Sequence, residues 1–409
     1  MRARKSNRIG SGKMNESEAA GRIKSPVFEP KSIGGMRIKN KLVRSATVEA
    51  MASEDGNITD ELVKIYETLA EGGVGLIITG AAYVQPTGKI LAHQTGIDRD
   101  DAIPGLRRIA EIVHKHGDGC GVAVQLNHCG RQSVLLEDTI APSAVFEPIG
   151  DKMPREMTIE EIEETTEAFA RAAMRALEAG FDAVQLHAAH GYLLSEFLSP
   201  YTNRRTDEYG GSTENRIRIV GDIYKRIVEN VGKDFPILIK MNVDDFLDGG
   251  ITLDESVRIA GTLSRMGFAA VETSGCMWEV ATRSREELGW RPVMIPESRV
   301  GIRSKDEEAY HLSYAREIGK VIDVPLILVG GIRSLDVIER ILGEGDADFV
   351  ALCRPLIRQP DLPNRWMKGM GGLTADCVSC NGCVDSLGEG GLRCTQIASI
   401  STNVDGLSQ

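Results

Sequence analysis

Short apolar runs recur along this chain, each followed by a stretch with helical spacing. The runs are Lys41–Thr47, Val74–Val84, Gly121–His128, Ala183–His187, Pro236–Val243, Ala269–Ser274, Pro325–Gly330 and Asp348–Arg354. Most are continuous rather than alternating, of the Val-Gly-Leu-Ile-Ile or Pro-Leu-Ile-Leu-Val type. Continuous runs mean strands buried on both faces, the condition of a parallel sheet. The intervening helices are legible. Thr158 and Glu161 form a capping box, Ile159, Ile162, Phe169, Ala173 and Leu177 keep a 3–4 spacing behind it, and Gly180 stops the helix. Further helices are expected over Pro104–His116, Asn215–Val231, Leu253–Met266, Lys305–Val321 and Leu335–Leu342. Strands alternating with helices over about 330 residues predict an α/β chain built as a (β/α)8 TIM barrel. The alternative is a doubly wound open sheet, but no Gly-x-Gly-x-x-Gly follows any of the runs.

The 409 residues suffice for one large barrel with extensions. Residues 1–25 are polar and without hydrophobic period, and read as a disordered lead. Its basic start, Met1–Arg8, lacks the apolar stretch of a secretory signal, and Met14 is a candidate alternative start. The barrel is assigned to 26–372 and a short cysteine-rich C-terminal extension to 373–409. A net charge of −11 with both signs interspersed argues against a nucleic-acid-binding face. No apolar run is long enough to span a membrane. Eight cysteines in a chain of this length read as reduced cytoplasmic thiols, some bound to metal, rather than a secreted disulfide framework. Long segments, Arg131–Met157, Gly191–Glu214 and Cys276–Ser304, follow three of the strands. They fall at the carboxyl ends, where barrel active sites are built.

Several residues at those ends can carry chemistry. His187 and His190 end the fourth strand, with Tyr192 two residues on. Two imidazoles can donate to one oxygen and polarise a carbonyl, and a tyrosine can serve as the acid. Packing residues or a metal pair are the alternatives, and zinc would need a further ligand that the spacing does not offer. Lys240 lies in an apolar run, which suits a cation facing an anionic cofactor or one paired with Asp244 or Asp245. Gly330 and Gly331 end the seventh strand, Ser334 is placed to cap the next helix, and Arg354 ends the eighth. Backbone amides at a helix start plus an arginine fit a phosphate monoester. Cys377, Cys380 and Cys383, followed by Cys394, have the spacing of metal ligands. Ferredoxin-like gaps favour iron–sulfur over zinc, with four unrelated thiols as the remaining reading.

The stretch His187-Ala-Ala-His190-Gly191-Tyr192-Leu193 runs on through Phe197-Leu198-Ser199-Pro200, Asn203-Arg204-Arg205, Asp207-Glu208-Tyr209-Gly210-Gly211-Ser212 and Asn215-Arg216. With Gln125 in Gln-Leu-Asn-His-Cys-Gly-Arg and the opening Asn40-Lys41-Leu42-Val43-Arg44-Ser45-Ala46, it resembles the old yellow enzyme family of FMN-dependent reductases over Pro26–Arg365. The resemblance implies that Ala46, Thr47 and Ala81 line FMN and that Gln125 bonds its pyrimidine edge. It places Lys240 by N1 and O2, and Gly330, Gly331, Cys353 and Arg354 at the phosphate. His187 and His190 would bind the substrate oxygen, and Tyr192 would supply a proton.

Three departures stand out. Val48 falls where many relatives carry Cys or Thr. The cysteine motif is similar to that of the branch holding trimethylamine dehydrogenase and 2,4-dienoyl-CoA reductase, but its gap to Cys394 is two residues shorter than in the former. Those relatives continue into nucleotide-binding domains, which these residues do not include. Glu279 stands where dienoyl-CoA reductases carry a catalytic His, which argues against dienoyl-CoA as substrate.

The leading expectation is an FMN-dependent NAD(P)H oxidoreductase, an ene-reductase that passes hydride to the β-carbon of a small α,β-unsaturated carbonyl substrate, with a [4Fe–4S] cluster as second cofactor. One alternative is a flavin/iron–sulfur electron-transfer subunit fed by a separate partner. The other is a flavin-free barrel lyase or isomerase acting on a phosphorylated metabolite. A homo-oligomer is expected by analogy.

Overall fold

The computed structural model describes residues 24–397; nearly all of the expected disordered lead and the end of the cysteine-rich extension lie outside the described residues. Eight parallel strands alternate with helices: β1 (Leu42–Arg44), β2 (Leu76–Ile78), β3 (Gly121–Asn127), β4 (Ala183–Ala188), β5 (Ile237–Asn242), β6 (Ala270–Ser274), β7 (Leu326–Leu328) and β8 (Phe349–Leu352). Each pairs with the next, and β8 pairs with β1, so the sheet closes into a (β/α)8 barrel. The open-sheet alternative is thereby excluded. Most strands are shorter than the apolar runs that announced them, because the last residues of several runs leave the ladder to form the mouth.

Around the barrel lie α1 (Asp60–Glu71), α2 (Ile103–His116), α3 (Ile159–Ala179), α4 (Thr213–Val231), α5 (Leu253–Met266), α6 (Leu312–Gly319), α7 (Leu335–Glu344) and α8 (Leu362–Met367). The capping box at Thr158 and Glu161 forms with both of its hydrogen bonds, and Gly180 closes α3 with φ +89°. Leu177, expected on the buried face of α3, is 44% exposed instead. The helix expected over Lys305–Val321 splits into a 3-10 turn at Lys305–Glu307 and α6. Between them Ala309 adopts φ +55°, which no α-helix tolerates.

Strand parity sorts the side chains. Leu42, Ile77, Val122, Val124, Val184, Leu186, Ile239, Val271, Leu328 and Val350 face the helices and form the larger core. Val43, Leu76, Ile78, Ala123, Ala183, Leu238, Ala270, Ile327 and Phe349 fill the barrel interior. Ile33 and Ile38 of a hairpin (Lys31–Ile33 with Met36–Ile38) join that interior cluster. The hairpin turn meets Pro236 and Ala269, just before β5 and β6, so it plugs the amino-terminal end. The opposite end stays open. No helix among the described residues is long and apolar enough to cross a membrane.

Candidate functional site

Towards the carboxyl ends, the inward positions change from apolar to polar. Gln125 on β3 donates to Gln185 Oε1 on β4 (2.8 Å), and Gln185 donates to Glu272 Oε2 on β6 (2.7 Å). Ser45 after β1 donates to Glu272 Oε1 (2.7 Å). Lys240 on β5 donates to Ser45 Oγ (2.9 Å) and stands 3.3 Å from Glu272 Oε1. All five residues are buried. The partner of Lys240 is therefore Glu272, not the sequence-adjacent Asp244 or Asp245. The β5–β6 register places Lys240 directly opposite Glu272.

Above this layer lies a cavity of about 320 Å³. Ala46, Thr47, Ala81, Gln125 and Lys240 line it, as do His187, His190 and Tyr192. Gly331, Cys353 and Arg354 line it too, together with Arg333. Gly330 lies against Tyr310 and His311 beside it. The cavity thus unites residues from the ends of all the barrel strands.

His187 and His190 meet edge to face, ring centroids 5.0 Å apart, and Tyr192 lies 4.9 Å from His187. Burial, reinforced by neighbouring positive charge that includes Lys240, pushes both imidazoles well below their ordinary range, so both are neutral donors. His190 holds φ +64°, a costly conformation for a non-glycine residue. Its backbone N–H donates to Asn242 Oδ1 (3.0 Å), and its Nε2 is 2.6 Å from Ser274 Oγ. That leaves Nδ1 free of a side-chain hydrogen bond. His187 Nδ1 is buried without a partner. Burial pushes the Tyr192 hydroxyl far above its ordinary range, so it keeps its proton. The metal-pair alternative finds no third ligand here: among the described residues the sole group of three or more such donors within 4.8 Å is Glu67, Glu71 and His116, on α1 and α2.

At the other end, Gly331 adopts φ +70°, and a Cβ there would stand 2.3 Å from Ile302 Cδ1. The left-handed backbone favours glycine here, and any side chain would also have to displace Ile302 and Tyr310. Arg354 is buried and donates to Asn381 Oδ1 (2.5 Å) and to the Arg299 carbonyl (2.9 Å). Ser334 precedes α7, but its hydroxyl does not cap the helix; it donates to Glu308 Oε1 (2.6 Å). Glu308 Oε2 accepts the Arg333 and Ser334 amides, which fixes the turn that leads into α7.

Cys377, Cys380, Cys383 and Cys394 line one small cavity with Arg358. No three of their sulfurs lie within 4.8 Å of one another. A tetrahedral zinc with bonds of about 2.3 Å would need them closer; ligands that each bind a different iron of one cluster stand further apart. Ser379 and Asn381 hold φ +54° and +61°, which folds the motif tightly. Burial raises the Cys383 thiol to about 11. Cys383 also lines the large cavity.

Some contributors escaped the sequence reading. Gln185 and Glu272 sit at inward positions of apolar strands, and a carboxylate there is the signal that could have found Glu272. Arg131 ion-pairs with Glu279 and lies 3.5 Å from Glu196, all buried, which fastens the β3 loop to the β4 and β6 loops. Glu279 is thus tied to Arg131. Glu297 and Trp278 line the large cavity as well.

The model of the NADH:flavin oxidoreductase / NADH oxidase family matches residues 26–371. A curated "NADH oxidase" of Thermoanaerobacter brockii is 39% identical over 88% of this chain and 53% of its own length. A solved 2-naphthoyl-CoA reductase in complex with 2-naphthoyl-CoA has a TM-score of 0.77 at 28% identity, over 86% of this chain and 53% of that one. An old yellow enzyme homologue from Zymomonas mobilis has a TM-score of 0.69 at 27% identity, over 86% and 95%. The chain spans about half the length of the first two.

Proposed function

Because the chain belongs to the NADH:flavin oxidoreductase / NADH oxidase family, we propose that it binds FMN and uses NAD(P)H to reduce the activated C=C bond of a small α,β-unsaturated carbonyl compound. The supporting observation is that two neutral imidazoles and a protonated tyrosine share one cavity with Lys240, Gln125 and Arg354. Family membership removes the ground for the flavin-free alternative.

The residues present fit the cofactor. Ala46, Thr47 and Ala81 are small enough to admit a flat ring, and Gln125 offers its amide to the pyrimidine edge. Lys240 would bring positive charge to the N1 and O2 edge of the flavin. Gly330, Gly331, Cys353 and Arg354, joined by Arg333, would form the phosphate end, with Arg354 the charged donor. FMN, when bound, supplies hydride transfer to carbon. The chain's own groups do the rest. His187 and His190 donate to the substrate oxygen and draw electron density from the double bond. His190 Nε2 pairs with Ser274 Oγ; when that hydroxyl donates, the ring proton sits on Nδ1, which is then the cavity-side donor. Tyr192 retains its proton across the working pH range and delivers it to the α-carbon.

The four cysteines are proposed to hold a [4Fe–4S] cluster, supported by their shared cavity. The electron-transfer reading stays in play for one reason: Cys380 is exposed while Cys383 reaches the large cavity, so the motif lies between the mouth and the surface.

The test is anaerobic. Flavin-loaded protein is reduced with NADPH or NADH, then mixed with cyclohex-2-enone, and reoxidation is followed by absorbance. Tyr192→Phe is expected to slow reoxidation by about 10²–10⁴-fold while leaving reduction nearly intact. If unaltered protein is reduced yet never reoxidised by enones, ene reduction is refuted and the electron-transfer reading takes its place.

A further inference from the structure

The β6–α6 loop carries a carboxyl group into the proposed substrate site. Glu297 Oε1 lies 3.8 Å from His190 Nδ1, the nitrogen left free by Ser274. At that separation the two groups face one another without a formed hydrogen bond. The other oxygen, Oε2, is buried with no partner. Desolvation of this carboxyl is only partly compensated, which is costly for the charged form.

The backbone forces it there. The Glu297 carbonyl accepts from Tyr310 Oη (2.7 Å), and the Ser298 carbonyl accepts from Asn381 Nδ2 (2.8 Å). Arg299 is gripped between Trp290 and Tyr310, at 4.4 and 4.3 Å from the ring centres, and its carbonyl accepts from Arg354. Gly301 N–H donates to the Ser379 carbonyl (3.0 Å). These anchors hold the main chain from Glu297 through Gly301, so the carboxyl can give way by turning its side chain rather than by moving the loop.

We infer that Glu297 is a built-in competitor for the substrate-oxygen position beside His190, so that a carbonyl binds only when this carboxyl gives way. The inference rests on the reading of His187 and His190 as the oxygen-binding pair. It makes Glu297 a specificity residue: it disfavours anionic ligands and opposes any ligand more strongly when charged. The groups facing it are His187, His190 and Tyr192 from the β4 end, Lys240 from β5, Cys276 after β6, and Tyr310 and His311 before α6. Burial, partly offset by its own backbone amide and by Lys240, raises Glu297 to about 7. It is therefore neutral below that pH and anionic above it, and ligand affinity should fall as pH rises through about 7.

The probe is cyclohex-2-enone, uncharged at every pH used, titrated into oxidised flavin-loaded protein, where no turnover occurs. If the anionic form excluded ligand completely, affinity would fall about 30-fold between pH 6 and pH 8.5 by linkage. Glu297→Gln and Glu297→Ala should remove this pH dependence, and Glu297→Ala should bind at pH 8.5 at least as tightly as the unaltered protein does at pH 6. Circular dichroism and flavin content verify that each variant is folded. His187→Ala tests the underlying reading separately and should weaken binding at both pH values. If His187→Ala weakens binding while Glu297→Gln keeps the pH dependence, the inference about Glu297 is overturned alone. Weaker binding in Glu297→Ala at all pH values also overturns it, because the carboxyl would then be helping the ligand. If His187→Ala leaves affinity unchanged, the oxygen-binding pair is wrong and the inference falls with it.

Discussion

Lys240→Met would leave Glu272 without the cation that stands opposite it. The two charges are 3.3 Å apart and buried. At an effective dielectric of about 20, Coulomb attraction at that distance is about 5 kcal/mol. Removing one partner of a buried pair typically costs about 3–5 kcal/mol, because the survivor stays desolvated. Glu272 would still accept from Ser45 and Gln185, which favours the lower end of that range. Glu272→Gln strands Lys240 in the same way and should cost a similar amount. The double variant removes both charges, so it should lose about 2–3 kcal/mol less than the sum of the two single changes. Urea unfolding of flavin-free protein, followed by circular dichroism, measures all four corners of the cycle. Additivity within about 0.5 kcal/mol would refute the coupling and would mean that water or another group screens the pair.

Arg354→Ala should weaken FMN by about 1.5–3 kcal/mol, the contribution of a charge-assisted hydrogen bond, while riboflavin, which lacks the phosphate, should be affected far less. Equal weakening of both in a fluorescence titration would remove Arg354 from the phosphate end. Protein made and purified without oxygen should contain iron and acid-labile sulfide close to four of each per chain, as expected of a cubane cluster, and should bleach in air. Stoichiometric zinc with no iron would overturn the cluster assignment.

The barrel was legible because its strands are buried on both faces, which turns them into continuous apolar runs that alternating strands would not show. The mouth was legible where a residue type is out of place, as at Lys240, or where a local pattern is dense, as around His187, His190 and Tyr192. Partnership was not. Lys240 looked to Asp244 and Asp245 because they are near in sequence, whereas the β5–β6 ladder decides the matter and presents Glu272. Ser334 occupies the capping position, yet its hydroxyl goes to Glu308, which the break at Ala309 swings against the start of α7. The Arg131 cluster joins residues 65 and 148 positions apart, and no local pattern reports such a meeting.

The loop that carries Glu297 is stitched to the cysteine motif at two points, through Asn381 to Ser298 and through Ser379 to Gly301. Both tethering residues lie between cysteines and hold left-handed backbone, a shape that persists only while its surroundings enforce it. The wall of the substrate mouth is consequently no more rigid than the motif beneath it. A substitution at Cys380, which is exposed and does not line that cavity, would relax the wall first, so selectivity among ligands would change before the barrel lost any stability. The two sites share one hinge post, and neither can drift in sequence without the other registering the change.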